Sequence, residues 1–115
     1  MSTVSWGRRT RYRFGACGQL VGLSAPVVPG VYAITYRQEP DVRPKSHTVL
    51  MFGEADDMSK HIPMVTEDIR RWWHEHSTKE QELFVFLHPM PGSTKFERES
   101  IQAQLVAEYD PLGNT

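Results

Sequence analysis

Cysteine is nearly missing from this chain, which holds a single one, Cys17. An internal disulfide is thereby excluded, and so is a zinc site built on paired cysteines, so the fold has to rest on packing, as suits a reducing, cytoplasmic setting. Acid is missing from the N-terminal third. Residues 1–38 contain five arginines (Arg8, Arg9, Arg11, Arg13 and Arg37) and no Asp or Glu, while the remainder carries eight basic and fourteen acidic residues. A basic arm on an acidic body suits a polyanion or an acidic protein surface as partner. Long apolar runs are missing as well, so no segment reaches the roughly 20 residues that span a bilayer, and no membrane association is expected. The weakly apolar stretch from Phe14 to Val28 is interrupted by Gly15, Gly18, Gln19 and Gly22, which argues against a secretory signal. Neither G-x-S-x-G nor G-x-x-x-x-G-K occurs, which removes the nucleophile elbow and the phosphate loop.

What is present suffices for one domain of 115 residues with one core. Val31 to Arg37 (VYAITYR) and Thr48 to Phe52 (TVLMF) are rich in β-branched and aromatic residues and predict an antiparallel hairpin around the charged, proline-containing connection between them. Asp56 or Asp57 can cap a short helix through His61 that Pro63 breaks, and Thr66 to His76 reads as a second helix with Ile69, Trp72, Trp73 and His76 on one side. Leu83 to Leu87 (LFVFL) is apolar without interruption and predicts the most buried, central strand. Thr94 and Glu97 have capping-box spacing, Ile101, Leu105 and Val106 form a helical stripe, and Asp110-Pro111 ends it. The expected architecture is α+β, a small three-stranded, mostly antiparallel sheet flanked by helices. Residues 1–28 read as a basic N-terminal extension or edge strand, with Arg11 to Phe14 as that strand and the glycines after it as a loop, and residues 29–115 as the domain.

The order and punctuation of these segments resemble the GIY-YIG nuclease family. Gly30-Val31-Tyr32 resembles the first signature, Met51-Phe52-Gly53-Glu54-Ala55 the second, Asp57 to His61 the helix after it, and Leu105-Val106 with Pro111 and Asn114 the terminal pattern. The resemblance implies a phosphodiester hydrolase in which a helix glutamate holds one divalent metal, tyrosines lie near the attacking water, an arginine stabilises phosphate and an asparagine supports the site. Carried over position by position, it places Tyr32 and Asn114 on matching residues. Met51 stands where the second tyrosine would be, His61 where the arginine would be, and Gln102 at the metal glutamate. A different family spacing puts Glu99 there instead, and Glu99 and Gln102 share a helix face. Met51 has no donor, His61 lacks arginine's fork, and a lone amide oxygen is a poor ligand for Mg²⁺ or Mn²⁺.

Three readings follow. The first is a GIY-YIG-like domain with most catalytic positions replaced, binding nucleic acid or protein. The second is a divergent Mg²⁺- or Mn²⁺-dependent endonuclease on DNA or RNA, using Tyr32, His61, Glu99 and Asn114. The third is a small protein-protein interaction domain. For nucleic acid, the residues that count are Arg8, Arg9, Arg11 and Arg13, interleaved with Trp6, Tyr12 and Phe14 as possible base-stacking rings, together with Lys60, Arg70 and Arg71. His74 and His76 point in different directions on a helix and make a poor chelating pair.

Overall fold

The computed structural model describes residues 3–19, 24–37, 47–76 and 83–114. Five strands, β1 (Thr3–Trp6), β2 (Tyr12–Gln19), β3 (Gly30–Arg37), β4 (His47–Ala55) and β5 (Leu83–Pro89), form one sheet in the order β1-β2-β5-β3-β4, every pair antiparallel. Two helices, α1 (Met58–His76) and α2 (Lys95–Tyr109), and a final 3-10 turn (Leu112–Asn114) complete an α+β fold.

β5 lies in the middle of the sheet, as its unbroken apolar run predicts, because both of its faces are covered. Leu83, Val85 and Leu87 join Tyr32, Ile34 and Leu50 beneath Met58, Ile62 and Ile69 of α1. On the opposite face Phe86 packs with Trp6, Phe14, Val31, Ala33 and Phe52 beneath Leu105 of α2. The helices therefore cover opposite faces of one sheet. Trp6 anchors the second face edge-on to Phe14 and Phe86, with ring centroids 5.1 and 5.5 Å away.

Four expectations change. The sheet has five strands rather than three, because β1 and β2 extend it beyond β5. Arg11 to Phe14 is no edge: β2 is an interior strand that starts at Tyr12, and β1 holds the edge. Gly15 and Gly18 lie within β2, not in a loop, since Gly15 pairs with Leu87 and Gly18 with Val85 around a register shift; Gly22 falls outside the described residues. Strand pairing supplied from both sides outweighs the low strand preference of glycine. Finally, the two expected helices are one, with Pro63 inside α1. Proline removes one helical hydrogen bond, at a cost of about 3 kcal/mol in a helix interior. Burial of Met58, Ile62 and Ile69 on either side of Pro63 opposes that loss.

Local signals were legible at the helix ends. The Oδ1 of Asp57 accepts from the Ser59 hydroxyl at 2.6 Å and from the Ser59 amide at 3.0 Å at the start of α1, and these bonds, the hydroxyl's first, hold the carboxyl below its usual range. Thr94 and Glu97 form the full capping box of α2, and Asp110 ends it in the left-handed conformation.

Gly53 sits opposite Tyr32 in the β3-β4 ladder, and the tyrosine ring lies across it where a Cβ would stand. Gly15 has open space at the same place. Gly53→Ala is expected to lower the unfolding free energy by about 1–3 kcal/mol through overpacking, whereas Gly15→Ala is expected to be neutral or mildly stabilising. Urea denaturation of the two variants checks the contrast.

Candidate functional site

Tyr32 and His61 are brought together. β3 directs Tyr32 toward α1, where the tyrosine is 1% exposed, and its hydroxyl lies 3.0 Å from Nε2 of His61, on the exposed side of α1. Burial, and secondarily the Glu54 carboxylate, push the Tyr32 phenol well above its ordinary value of 10. A phenol held neutral can exchange a hydrogen bond with an imidazole in either tautomer, so the pair offers a proton donor and acceptor at the protein surface.

The other expected site residues do not join this pair. Glu99 has a side chain 53% exposed on α2 and pairs with Lys95, one turn earlier, at 3.7 Å. Gln102 turns inward, and its Nε2 donates to the Phe52 carbonyl at 3.1 Å. Asn114 clasps the same strand residue from both directions: its Oδ1 accepts from the Phe52 amide at 2.8 Å and its Nδ2 donates to the Phe52 carbonyl at 2.9 Å. This is how a neighbouring strand would pair, so the 3-10 turn closes part of the exposed edge of β4. Gly113 backs onto the Leu50 carbonyl so closely that a Cβ would collide with it. Met51 lines a cleft of about 360 Å³ with Val65, Asp68, Ile69, Trp72, Leu112 and Gly113.

These residues do not fit the divalent cation that the resemblance implies. Tyr32 and His61 belong to the α1 face, whereas Glu99 and Gln102 are carried by α2 on the other. Among the described residues, no group of three or more His, Cys, Asp or Glu side chains converges as a ligand set. Glu54, the carboxylate whose charge acts on Tyr32, is held by Arg98.

Arg98 was not singled out by sequence, yet it is the most deeply engaged charge on α2. It is 2% exposed; its Nε donates to Glu54 at 3.0 Å, its Nη1 to the carbonyl and hydroxyl of Ser93 at 2.8 and 3.0 Å, and its Nη2 to Asp56. The Asp56 side chain is 83% exposed, so the network runs from the interior to solvent. Its partners come from the end of β4, the segment after it and the turn before α2, and Arg98 ties them together. One signal was available: a strand that alternates Phe52 and Glu54 toward one face leaves a carboxylate there that requires a cation.

The expected nucleic-acid residues divide. Lys60, Arg70 and Arg71 are exposed on α1. Arg8, Arg9, Arg11 and Arg13 are exposed on the hairpin of β1 and β2. Its turn is docked on α2, where the Glu108 carboxylate accepts from the Arg8 and Arg9 amides at 2.8 and 3.0 Å and is thereby held below its usual range. The Gln104 amide donates to the Thr10 carbonyl at 3.0 Å, and the Tyr109 hydroxyl accepts from the Gly7 amide at 2.8 Å. The aromatic residues between the arginines turn away from solvent, with Trp6 and Phe14 buried and Tyr12 half-buried. Trp72 and Trp73 are half-buried against the α1 face, and Trp73 stacks on Tyr36 at 4.9 Å.

The chain matches no known protein family, no curated protein and no solved structure.

Two outcomes test this geometry. Arg98→Ala leaves the partly buried Glu54 carboxylate without its cation and is expected to lower the unfolding free energy by about 1–3 kcal/mol, much of which the double variant Arg98→Met, Glu54→Leu recovers in chemical denaturation. For Tyr32, the fold favours the neutral phenol, so its contribution is intact below pH 10 and is lost as pH rises through the raised value. Alkaline unfolding followed by circular dichroism should therefore be less steep in Tyr32→Phe.

Proposed function

We propose that this chain is a GIY-YIG-like domain that keeps the scaffold and serves as a nucleic-acid binding module, with little or no phosphodiester hydrolysis. The scaffold part of this reading is supported by the succession β3, β4, α1, β5, α2 and by Tyr32 lying across Gly53, which joins the two signature segments. The observation that carries the loss of hydrolysis is the division of the expected site between opposite faces of the sheet. Tyr32 and His61 meet on one, Glu99 and Gln102 are carried by α2 on the other, and Asn114 is spent on the Phe52 backbone at the edge of β4. Binding is supported by the four exposed arginines on a hairpin whose strands and turn carry no acid.

One feature favours a protein partner as a second reading. The cleft beside Met51 carries the side chains of Val65, Ile69 and Trp72 together with Asp68, and Leu112 on its wall is exposed.

Purified protein is expected to retard a labelled nucleic-acid fragment in a mobility-shift assay while leaving supercoiled plasmid and structured RNA uncut in Mg²⁺ or Mn²⁺. Metal-dependent cleavage that His61→Ala abolishes would establish the endonuclease instead.

A further inference from the structure

The binding reading leaves open which nucleic-acid feature is recognised, and the two faces of the β1-β2 hairpin differ sharply in what they present. Along β2, Tyr12, Phe14 and Ala16 pack with the α2-side core. Alternation puts Arg13 and Gly15 on the other side, with Ser5 paired to Arg13 and Thr3 paired to Gly15. On that side α1 packs over β3, β4 and β5, and Cys17 is the described residue of β2 that joins its core. Thr3, Ser5, Arg11 and Arg13 remain exposed, and a Cβ on Gly15 would meet nothing within 4 Å. The result is a bare strip of sheet with small polar side chains, an open glycine and arginines.

The four arginines are not equivalent. Arg8 lies over the Tyr109 ring at 5.5 Å, and the Nη2 of Arg9 donates to Gln104 at 3.3 Å, so both are drawn toward α2. The side chains of Arg11 and Arg13 have no ion pair or hydrogen-bond partner among the described residues. Their backbone is nevertheless held: the Arg13 carbonyl lies 2.8 Å from Nδ1 of His88, and the turn before them is pinned by Glu108 and Gln104. Guanidinium groups on a rigid strip are suited to phosphate oxygens.

Among the described residues, the strip offers no stacking surface. Every aromatic residue interleaved with these arginines is directed into the α2-side core. Recognition of unpaired bases depends on exposed rings, whereas backbone recognition depends on phosphate charge, which is densest along a duplex. We infer that Arg11 and Arg13, on the uncovered face of the β1-β2 hairpin, bind the phosphodiester backbone of duplex nucleic acid without reading unstacked bases. This rests on the nucleic-acid binding reading above and specifies its ligand.

Fluorescence anisotropy with a labelled duplex DNA, a duplex RNA of equal length and oligothymidine, each over a salt series, tests it in the full chain. Either duplex binding ahead of oligothymidine sustains the inference and identifies the helix form preferred. The slope of log K against log salt is expected near −2 for two phosphate contacts and near −1 in Arg13→Gln, with the loss uniform across duplex sequences. Arg70→Gln on α1 is expected to leave the slope unchanged. Circular dichroism checks that both variants stay folded. Oligothymidine binding as tightly as both duplexes, with quenched aromatic fluorescence, overturns the inference while leaving nucleic-acid binding intact. An Arg13→Gln slope equal to that of the unaltered chain, or a loss found only in Arg70→Gln, overturns the placement. Failure of all three ligands to bind overturns the binding reading itself.

Discussion

The requirement to cover both faces of β5 organises this molecule. Its alternate residues Leu83, Val85 and Leu87 point toward α1, and Phe86 points toward α2. A fully buried leucine, valine or phenylalanine side chain contributes about 1.5–3 kcal/mol relative to exposure. A single helix layer would leave one of these rows in water. Strands on both sides are needed too, because the backbone polar groups of a central strand have to be paired. β2 and β3 supply that pairing, and β2 brings β1 with it.

That arrangement has a chemical consequence. Helices on opposite faces separate whatever their polar residues could do together. His61 on α1 reaches Tyr32, but residues on α2 meet the other face: Gln102 and Arg98 meet Phe52 and Glu54. Gln102, Arg98 and Asn114 thereby become fasteners. They hold the last part of β4, the segment after it and the C-terminal turn in one unit, and the buried guanidinium of Arg98 balances a carboxylate that could not otherwise leave water. The hairpin of β1 and β2 stands apart from both sets, covered on one face by α2 and exposed at Thr3, Ser5 and Arg13 on the other.

Legibility followed interaction range. Val31 to Arg37, Thr48 to Phe52 and Leu83 to Leu87 were recognisable as strands because composition and run length act locally. The Thr94-Glu97 cap was readable for the same reason, its bonds spanning three residues. Of β2 only the start was, within Arg11 to Phe14, since Gly15 and Gly18 carry the local signal of a loop and its pairing partner, β5, lies about seventy residues later. Pro63 misled in the same manner: local preference favours a break, and packing on the sheet kept α1 continuous.

For the candidate site, the sequence by itself determined an inventory: Tyr32, His61, Glu99, Gln102 and Asn114 in an order that resembles a nuclease, and arginines gathered without acid at the N-terminal end. It also determined where α2 begins and ends. Only the tertiary structure decided which of these residues meet, which face of the sheet each occupies, and which arginines are drawn toward α2. Arg98 finds Glu54 and Asp56 across 44 and 42 residues, and Asn114 finds Phe52 across 62. The reason is that a cap or a strand preference is settled within a few residues, whereas the side of a sheet onto which a helix folds depends on the burial of the whole core.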